Sequence, residues 1–459
     1  MKFIGREQQQ KQLGKLFGKE YLQLALIYGR RRVGKSELIK HCLRAQNCLK
    51  IFYECKQTTE LNNVESLSQY ISENLELPPF AFSGIEPLLE FLFERSEKEN
   101  VILVLDEYPY LREAVPGIDS IIQSLIDRYG ERSRIKLVLC GSYVEVMKSL
   151  LEKENPLYGR VDLSIDLKPM DYYESAQFYP NFSAEDKVRL YSVLGGIPYY
   201  SRHVEQEMSV KENIIELISA PGARLENEVA MYLKSEISKI TNANEVFEAL
   251  AGGCSKYSEL LSKSHVSSGP TLVDVLEKLM KMELVAKQAP INDPDNRKKA
   301  NYRITDNMSL FYYRYIFRYL SQRNILGEEV FYERYIAKSF EEHYVPLAFE
   351  SVCRQYLIRM NRAGMIDPPF DAIGKYYYDD PKKKTNGEFD IVTADPKGYV
   401  FYEAKFRNEP ISAAIIYEEI KQVQSAGLEC YKYGFFSRSG FRIAPEENML
   451  FISLPELYR

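Results

Sequence analysis

The stretch Gly29-Arg30-Arg31-Arg32-Val33-Gly34-Lys35-Ser36 decides the fold. It satisfies the spacing G-x-x-x-x-G-K-[ST] in full, and its flanks supply the context that this spacing requires. Leu22-Gln23-Leu24-Ala25-Leu26-Ile27-Tyr28 before it is an apolar run of strand length, and Glu37-Leu38-Ile39-Lys40-His41-Cys42-Leu43 after it reads as a helix. The glycines let backbone N–H groups curl around phosphate oxygens, and the helix N-terminus adds its partial positive charge. Gly29, Arg32, Val33, Gly34, Lys35, Ser36 and Glu37 are therefore the expected phosphate-loop contacts. Lys35 would reach the β- and γ-phosphates, and Ser36 would ligate Mg²⁺.

A second motif stands where the first needs a partner. Val101-Ile102-Leu103-Val104-Leu105 is a run of the kind buried on both faces in a parallel sheet, and Asp106-Glu107 follows at its C-terminal end. Open α/β sheets place their ligands at that end. Asp106 would hold Mg²⁺ through its water shell, and Glu107 would orient the attacking water; two acids in a surface turn are the plainer explanation. The two motifs in order argue for nucleotide binding, whereas hydrolysis is a further step. A third strand, Ile135-Lys136-Leu137-Val138-Leu139-Cys140, ends in Gly141-Ser142. Ser142 either touches the γ-phosphate or the lytic water, or is a turn serine.

Composition bounds the rest. A chain of 459 residues should form about three domains. Apolar residues at 45% and charged residues at 27% are ordinary for a globular protein. No apolar run approaches ~18 residues, so no membrane span is expected. Met1-Lys2-Phe3-Ile4-Gly5-Arg6-Glu7 lacks the apolar core of a signal peptide. The seven cysteines are scattered without paired spacing, which suggests neither a disulfide framework nor a zinc site. A cytoplasmic, reduced protein is the expectation. The net charge of −5 argues against wholesale electrostatic binding of nucleic acid. Two basic patches remain. Arg30-Arg31-Arg32 is explained first by phosphate contact or packing, and Lys382-Lys383-Lys384 by a solvated loop.

Three regions follow from composition and period: 1–200, 201–325 and 326–459. The first alternates buried strands and helices, the signature of a parallel α/β sheet. In the second, helices begin at Glu245, Tyr257 and Pro270, and the strands Leu284–Lys287 and Asn301–Ile304 flank a polar loop. Three helices plus a hairpin is the pattern of a winged helix-turn-helix. Its third helix shows Thr271, Asp274, Glu277 and Lys278, a poor set for reading base edges. The wing carries Arg297, Lys298 and Lys299, which suit phosphates, and a packing or regulatory role stands ahead of sequence-specific DNA reading.

The third region holds a second constellation. Gly387–Val392 and Tyr399–Lys405 read as strands joined by the turn Ala394-Asp395-Pro396-Lys397-Gly398. Alternation puts Glu403 and Lys405 on one side of the sheet, with Asp390 across the hairpin. Asp–x₁₂–Glu–x–Lys is the set that metal-dependent phosphodiester cleavage needs: two carboxylates for Mg²⁺ and a lysine for charge. An exposed hairpin with acids and a lysine paired across strands is the alternative. Glu350, on an amphipathic helix upstream, would add a third metal-binding carboxylate, with Glu341 in reserve.

With these residues in hand, the chain resembles the archaeal-type P-loop ATPases, a STAND-related branch of the AAA+ class. The marks are Ile4-Gly5-Arg6-Glu7, the phosphate loop, the strand end Asp106-Glu107, Pro156-Leu157-Tyr158-Gly159-Arg160 and Gly195-Gly196-Ile197-Pro198-Tyr199-Tyr200. The resemblance implies an α/β P-loop domain, a winged helix and a C-terminal domain similar to PD-(D/E)xK nucleases. It implies that Gly5, Arg6 and Pro198 flank the adenine of ATP. It also implies that Arg160 senses the γ-phosphate, either in cis or from a neighbour in a homo-oligomer. Ala404 stands where the family often has cysteine, while the site residues match. The expected function is an ATP·Mg²⁺-dependent switch coupled to a nuclease-like effector acting on DNA or RNA. The alternative is a nucleotide-dependent regulator or scaffold whose nuclease-like domain only binds. An ATP-driven motor is a weaker third, because the composition advertises no basic strand-tracking channel.

Overall fold

The computed structural model describes residues 3–76, 78–229, 231, 242–296, 299–380 and 385–459. The chain forms two compact units, Met1–Pro169 with Ile197–Tyr199, and Met170–Gly196 with Tyr200–Arg459. Residues 170–196 belong to the second unit, which also runs on through residue 325.

The first unit is a parallel sheet in the order β2-β3-β4-β1-β5: β1 (Gln23–Tyr28), β2 (Leu49–Glu54), β3 (Val101–Asp106), β4 (Lys136–Gly141) and β5 (Leu163–Asp166). Every residue of β1, β3 and β4 is buried, as expected for strands covered on both faces. The helices are α1 (Glu7–Phe17), α2 (Lys35–Arg44), α3 (Glu60–Asn74), α4 (Ile85–Arg95), α5 (Tyr108–Ala114), α6 (Ile118–Tyr129) and α7 (Val144–Ser149). Leu88, Leu92, Ile122 and Leu125 of α4 and α6 pack with Leu103, Leu105, Leu137 and Leu139 of β3 and β4 in one core. The order matters for function: β4 lies between β1, which leads into the phosphate loop, and β3, which ends in the two acids. The carboxylates and Ser142 thus issue from neighbouring strand ends.

In the second unit, α8 (Tyr172–Ala176) and α9 (Ala184–Leu194) come first. They are fixed to distant parts of the same unit. The Tyr172 hydroxyl donates to Leu457 O at 2.7 Å, Tyr191 donates to Gln355 at 3.1 Å, and Tyr344 donates to Ser192 O at 3.0 Å. The ends of this excursion are joined by the Met170 N–H, which donates to Gly196 O at 2.8 Å. Glycine is required here, because a Cβ on Gly196 would fall 1.8 Å from Met170 O.

Next come α10 (Ala243–Ala251), α11 (Tyr257–Lys263), α12 (Gly269–Lys281) and the antiparallel pair β6 (Val285–Gln288) and β7 (Asn301–Ile304), the three-helix-and-hairpin order expected. After α13 (Val345–Arg362), a mixed sheet follows in the order β12-β11-β10-β9-β8. Its strands are β8 (Ala372–Asp380), β9 (Thr385–Asp395), β10 (Gly398–Lys405), β11 (Cys430–Ser437) and β12 (Met449–Ser453). Strands β8, β9 and β10 form an antiparallel meander, and β10, β11 and β12 are parallel. The helix α14 (Ala413–Ser425) makes the crossover from β10 to β11, burying Ile416, Ile420 and Val423 against Phe401, Tyr433 and Phe435. Among the described residues no helix is long and apolar enough to cross a membrane.

Candidate functional site

In the first unit, β1 runs straight into the phosphate loop. Gly29 sits at φ 149°, and a Cβ there would lie 2.3 Å from Leu167 O, so the loop can turn only on glycine. Lys35 opens α2 and is buried, with 6% exposure, which is unusual for an ammonium. It donates back across the loop to Gly29 O at 2.9 Å and Arg30 O at 3.2 Å. Ser36 Oγ donates to Asp106 Oδ2 at 2.6 Å. One residue on, Glu107 holds a left-handed backbone (φ 51°), and its Oε2 accepts from the Ser142 hydroxyl at 2.9 Å and the Ser142 N–H at 3.2 Å. Lys35, Ser36, Asp106, Glu107 and Ser142 therefore meet at one end of the sheet. The hard oxygens of Ser36 and Asp106 are of the kind that Mg²⁺ prefers.

The flank of the loop near Arg6 and Pro198 is also built. Arg6 is buried and donates to Val33 O at 3.2 Å, while Gln10 donates to Gly5 O at 2.7 Å. Pro198 faces the loop: a Cβ built on Gly34 would lie 3.9 Å from its Cγ. Arg32 stacks over the Tyr199 ring at 4.2 Å. Glu37 is exposed on the first turn of α2.

Sequence reasoning missed the aromatic pair beside the loop. Arg31 donates to the hydroxyl of Tyr143 at 3.2 Å, and the Tyr110 and Tyr143 rings meet edge to face, 5.9 Å apart. The hydrogen bond between the two hydroxyls, then burial, pushes Tyr110 up to about 12. The arginine triplet was the available signal, but nothing local pointed to its partners.

Arg160 is a correction to the expectation of a sensor in cis. Its guanidinium grips Asp127 of α6 at 2.9 and 2.8 Å and donates to Pro156 O. It precedes β5, whose Leu163 lies level with Ala25, so it stands where the strands begin. The phosphate loop is at the other end.

In the second unit a charged row crosses the sheet. The antiparallel register pairs Ile391 with Tyr402; carried one residue further, it sets Asp390 beside Glu403. Lys375 on β8 bonds Asp390 at 2.7 Å and Glu388 at 2.6 Å. Lys405 bonds Glu403 at 2.5 Å and Glu419 of α14 at 2.8 Å. Burial, then Asp390 and Glu403, pushes Glu350 of α13 up to about 8, although Lys375 and Arg354 act against this. Burial likewise raises Glu403. Burial pulls the Lys405 ammonium down, but Glu403 and Glu419 outweigh it and hold it charged.

The donors Asp390, Glu403 and Glu350 are all oxygen, as Mg²⁺ prefers. Among the described residues, however, no three such side chains gather closely enough to hold an ion. Lys375 and Lys405 pair with the carboxylates instead. Lys375 and Glu419 went unread in the sequence because only strand register and the crossover helix bring them to the row. The reserve acid Glu341 is committed to Arg189 at 2.9 and 3.1 Å.

The wing is occupied too. The Ile291 N–H donates to Lys375 O at 2.8 Å, and Asn292 exchanges two hydrogen bonds with the backbone of Tyr377. Asn301 donates to Glu388 at 3.3 Å, and Lys299 lies 4.3 Å over the Tyr377 ring. On α12, Lys278 is paired with Asp274 at 2.7 Å. Arg297, Lys298 and Lys382–Lys384 lie outside the described residues.

Comparison with known proteins bears on both units. Residues 3–204 match the model of an ATPase domain found predominantly in Archaea. Residues 312–422 match a family of archaeal and bacterial proteins of unknown function. The chain thus carries a nucleotide-binding, archaeal-type P-loop ATPase domain on an α/β fold. An uncharacterised protein of Methanocaldococcus jannaschii is 26% identical over 97% of both chains. A Walker-type ATPase of Pyrococcus abyssi shares the fold at 19% identity and a TM-score of 0.51, covering 68% of this chain and 96% of its own. The ORC2 protein of Aeropyrum pernix, solved in ADPNP–ADP complexes, gives 14% identity, a TM-score of 0.49, and coverage of 71% and 96%.

Proposed function

We propose that the chain is an ATP-driven conformational switch whose second unit acts on DNA or RNA, with strand cleavage at the row of Asp390, Glu403 and Lys405. The observation that carries the ATPase half is the 2.6 Å bond from Ser36 to Asp106, with Glu107 oriented by Ser142 on the adjacent strand end. In this reading Lys35 exchanges the carbonyls of Gly29 and Arg30 for phosphate oxygens, and Gly5, Arg6 and Pro198 bracket the base. Glu107 then orients the attacking water. Ser36 and Asp106 would hold Mg²⁺, which would supply charge neutralisation to the phosphates.

A switch further requires that ATP favour one arrangement of the units, since a ligand with equal affinity for two states shifts neither. Ile197–Tyr199 suits that task, because chain of the second unit continues from both of its ends.

The effector half is supported by the sequence of elements: a helix, a three-stranded meander, a crossover helix and a parallel strand. Lys375, Asp390 and Glu403 stand abreast on three strands, and the charged Lys405 is suited to neutralise a phosphate. The ion pairs of the row also favour a second reading. Carboxylates already matched by lysines serve a domain that binds nucleic acid without cutting it.

The test is incubation with Mg²⁺ or Mn²⁺ and mixed DNA and RNA, with and without ATP, against the Asp390→Ala/Lys405→Ala variant. Cleavage that the variant loses establishes the effector, and ATP dependence establishes the coupling. No cleavage with ATPase intact selects the binding regulator.

A further inference from the structure

Next to the charged row, the segment after β10 and the segment after β11 are tied together by four hydrogen bonds. The Arg438 N–H donates to Lys405 O at 3.1 Å, Ile411 N–H to Gly440 O at 2.9 Å and Arg442 N–H to Ile411 O at 2.9 Å, and the Ser439 hydroxyl donates to Arg407 O at 2.6 Å. Between them lies a cavity of about 200 Å³ whose walls include Lys405, Arg407, Arg442 and Ser412, with Ile411 and Ile415 beneath. Of these three cations Lys405 is held by Glu403 and Glu419, while Arg442 lies 3.9 Å from Glu409, which is 85% exposed. Among the described residues Arg407 has no carboxylate within 4 Å.

One guanidinium without a carboxylate partner and one only 3.9 Å from an exposed acid, on two cross-linked segments, suit phosphate oxygens. The volume is below the roughly 300–1,000 Å³ of sites that enclose whole small ligands, so it suits one unit of a longer one. Lys405 belongs both to this cavity and to the row.

We infer that the Arg407–Arg442 cavity binds the phosphodiester next to the one at the Asp390–Glu403–Lys405 row, which makes a polynucleotide strand the ligand of the second unit. This deepens the proposed effector and rests on it for the position of the neighbouring phosphate. A free phosphate or mononucleotide offers the same oxygens but spans only one of the two places.

The full chain carrying Arg407→Ala/Arg442→Ala tests the inference by fluorescence anisotropy. The probes are labelled single- and double-stranded DNA and RNA in EDTA, over a salt series. Two lost charge-assisted contacts should weaken strand binding about tenfold or more. The slope of log K against log salt should fall by about one. The charge-matched control Lys397→Ala/Lys432→Ala, at the opposite end of β10 and β11, should bind as the native chain does. Unchanged affinity and slope in the arginine variant would overturn the inference. So would a native chain that binds no strand, or displacement of the strand by stoichiometric inorganic phosphate or AMP. A circular-dichroism spectrum and thermal unfolding profile unaltered in the variant report that it is folded. Arginine-dependent binding without cleavage leaves the inference standing and the nuclease reading lost. Cleavage that needs Asp390 but not the arginines does the reverse.

Discussion

Glu107 is held in a left-handed backbone conformation with its carboxylate taken by Ser142, and under the proposed function it is the residue whose replacement separates binding from turnover. Glu107→Gln should retain ATP affinity in a filter-binding assay while phosphate release falls about 10²-fold or more. Lys35→Ala should lose affinity itself, because its ammonium is what the phosphates would take over from two carbonyls. In the second unit Glu350 makes a pH prediction. A carboxyl raised to about 8 in the folded chain and ordinary in the unfolded one keeps its proton only when folded. Across that window the unfolded state binds fewer protons, so stability falls as pH rises from about 4.3 to about 8. Glu350→Gln should therefore raise the thermal midpoint at pH 8, with the gain vanishing near pH 4.5; equal midpoints at pH 8 would refute the assignment. What was legible at this scale was contiguous: the phosphate loop, Asp106-Glu107 and Glu403-x-Lys405 each lie within a few residues. Lys375 and Glu419 were not, since each reaches the row only through a strand pairing or a crossover.

At the scale of elements, β8 is the outermost strand of its sheet, and an open edge invites pairing with another chain. Ile291 and Asn292 cover it with backbone-directed bonds. In the sequence the polar loop between β6 and β7 read as a wing that could meet phosphates, with packing or regulation ranked ahead; what it docks on was not legible, because composition reports solvation but not docking. Asn292→Ala should cost about 1 kcal/mol for the bonds to Tyr377. Hydrogen exchange should show it as faster exchange of the Tyr377 amide, and light scattering as a greater tendency to associate. Protection equal to the native chain would mean that the edge is covered by other means. The strands of the first unit were legible for the opposite reason: runs such as Val101–Leu105 are apolar on both faces and admit few other placements.

For the whole molecule, the chain passes between its two units at residues 169–170, 196–197 and 199–200. No periodicity announces this; α8 and α9 read as further α/β helices until Tyr172 and Tyr191 are seen bonded to Leu457 and Gln355. If ATP acts through Ile197–Tyr199, limited proteolysis near these passages should change on adding ATP·Mg²⁺, and an unchanged digest with nucleotide bound would count against the switch. The bond between Met170 and Gly196 has a consequence of another kind. Were the gene divided after the codon for Gly196, the first polypeptide would carry α8 and α9 into the other's core, and the second would carry Pro198 and Tyr199 to the loop of Arg32 and Gly34. Each half would be an incomplete jigsaw. The pair, when co-expressed, should purify as one interlocked particle, in which neither product is recovered folded without the other.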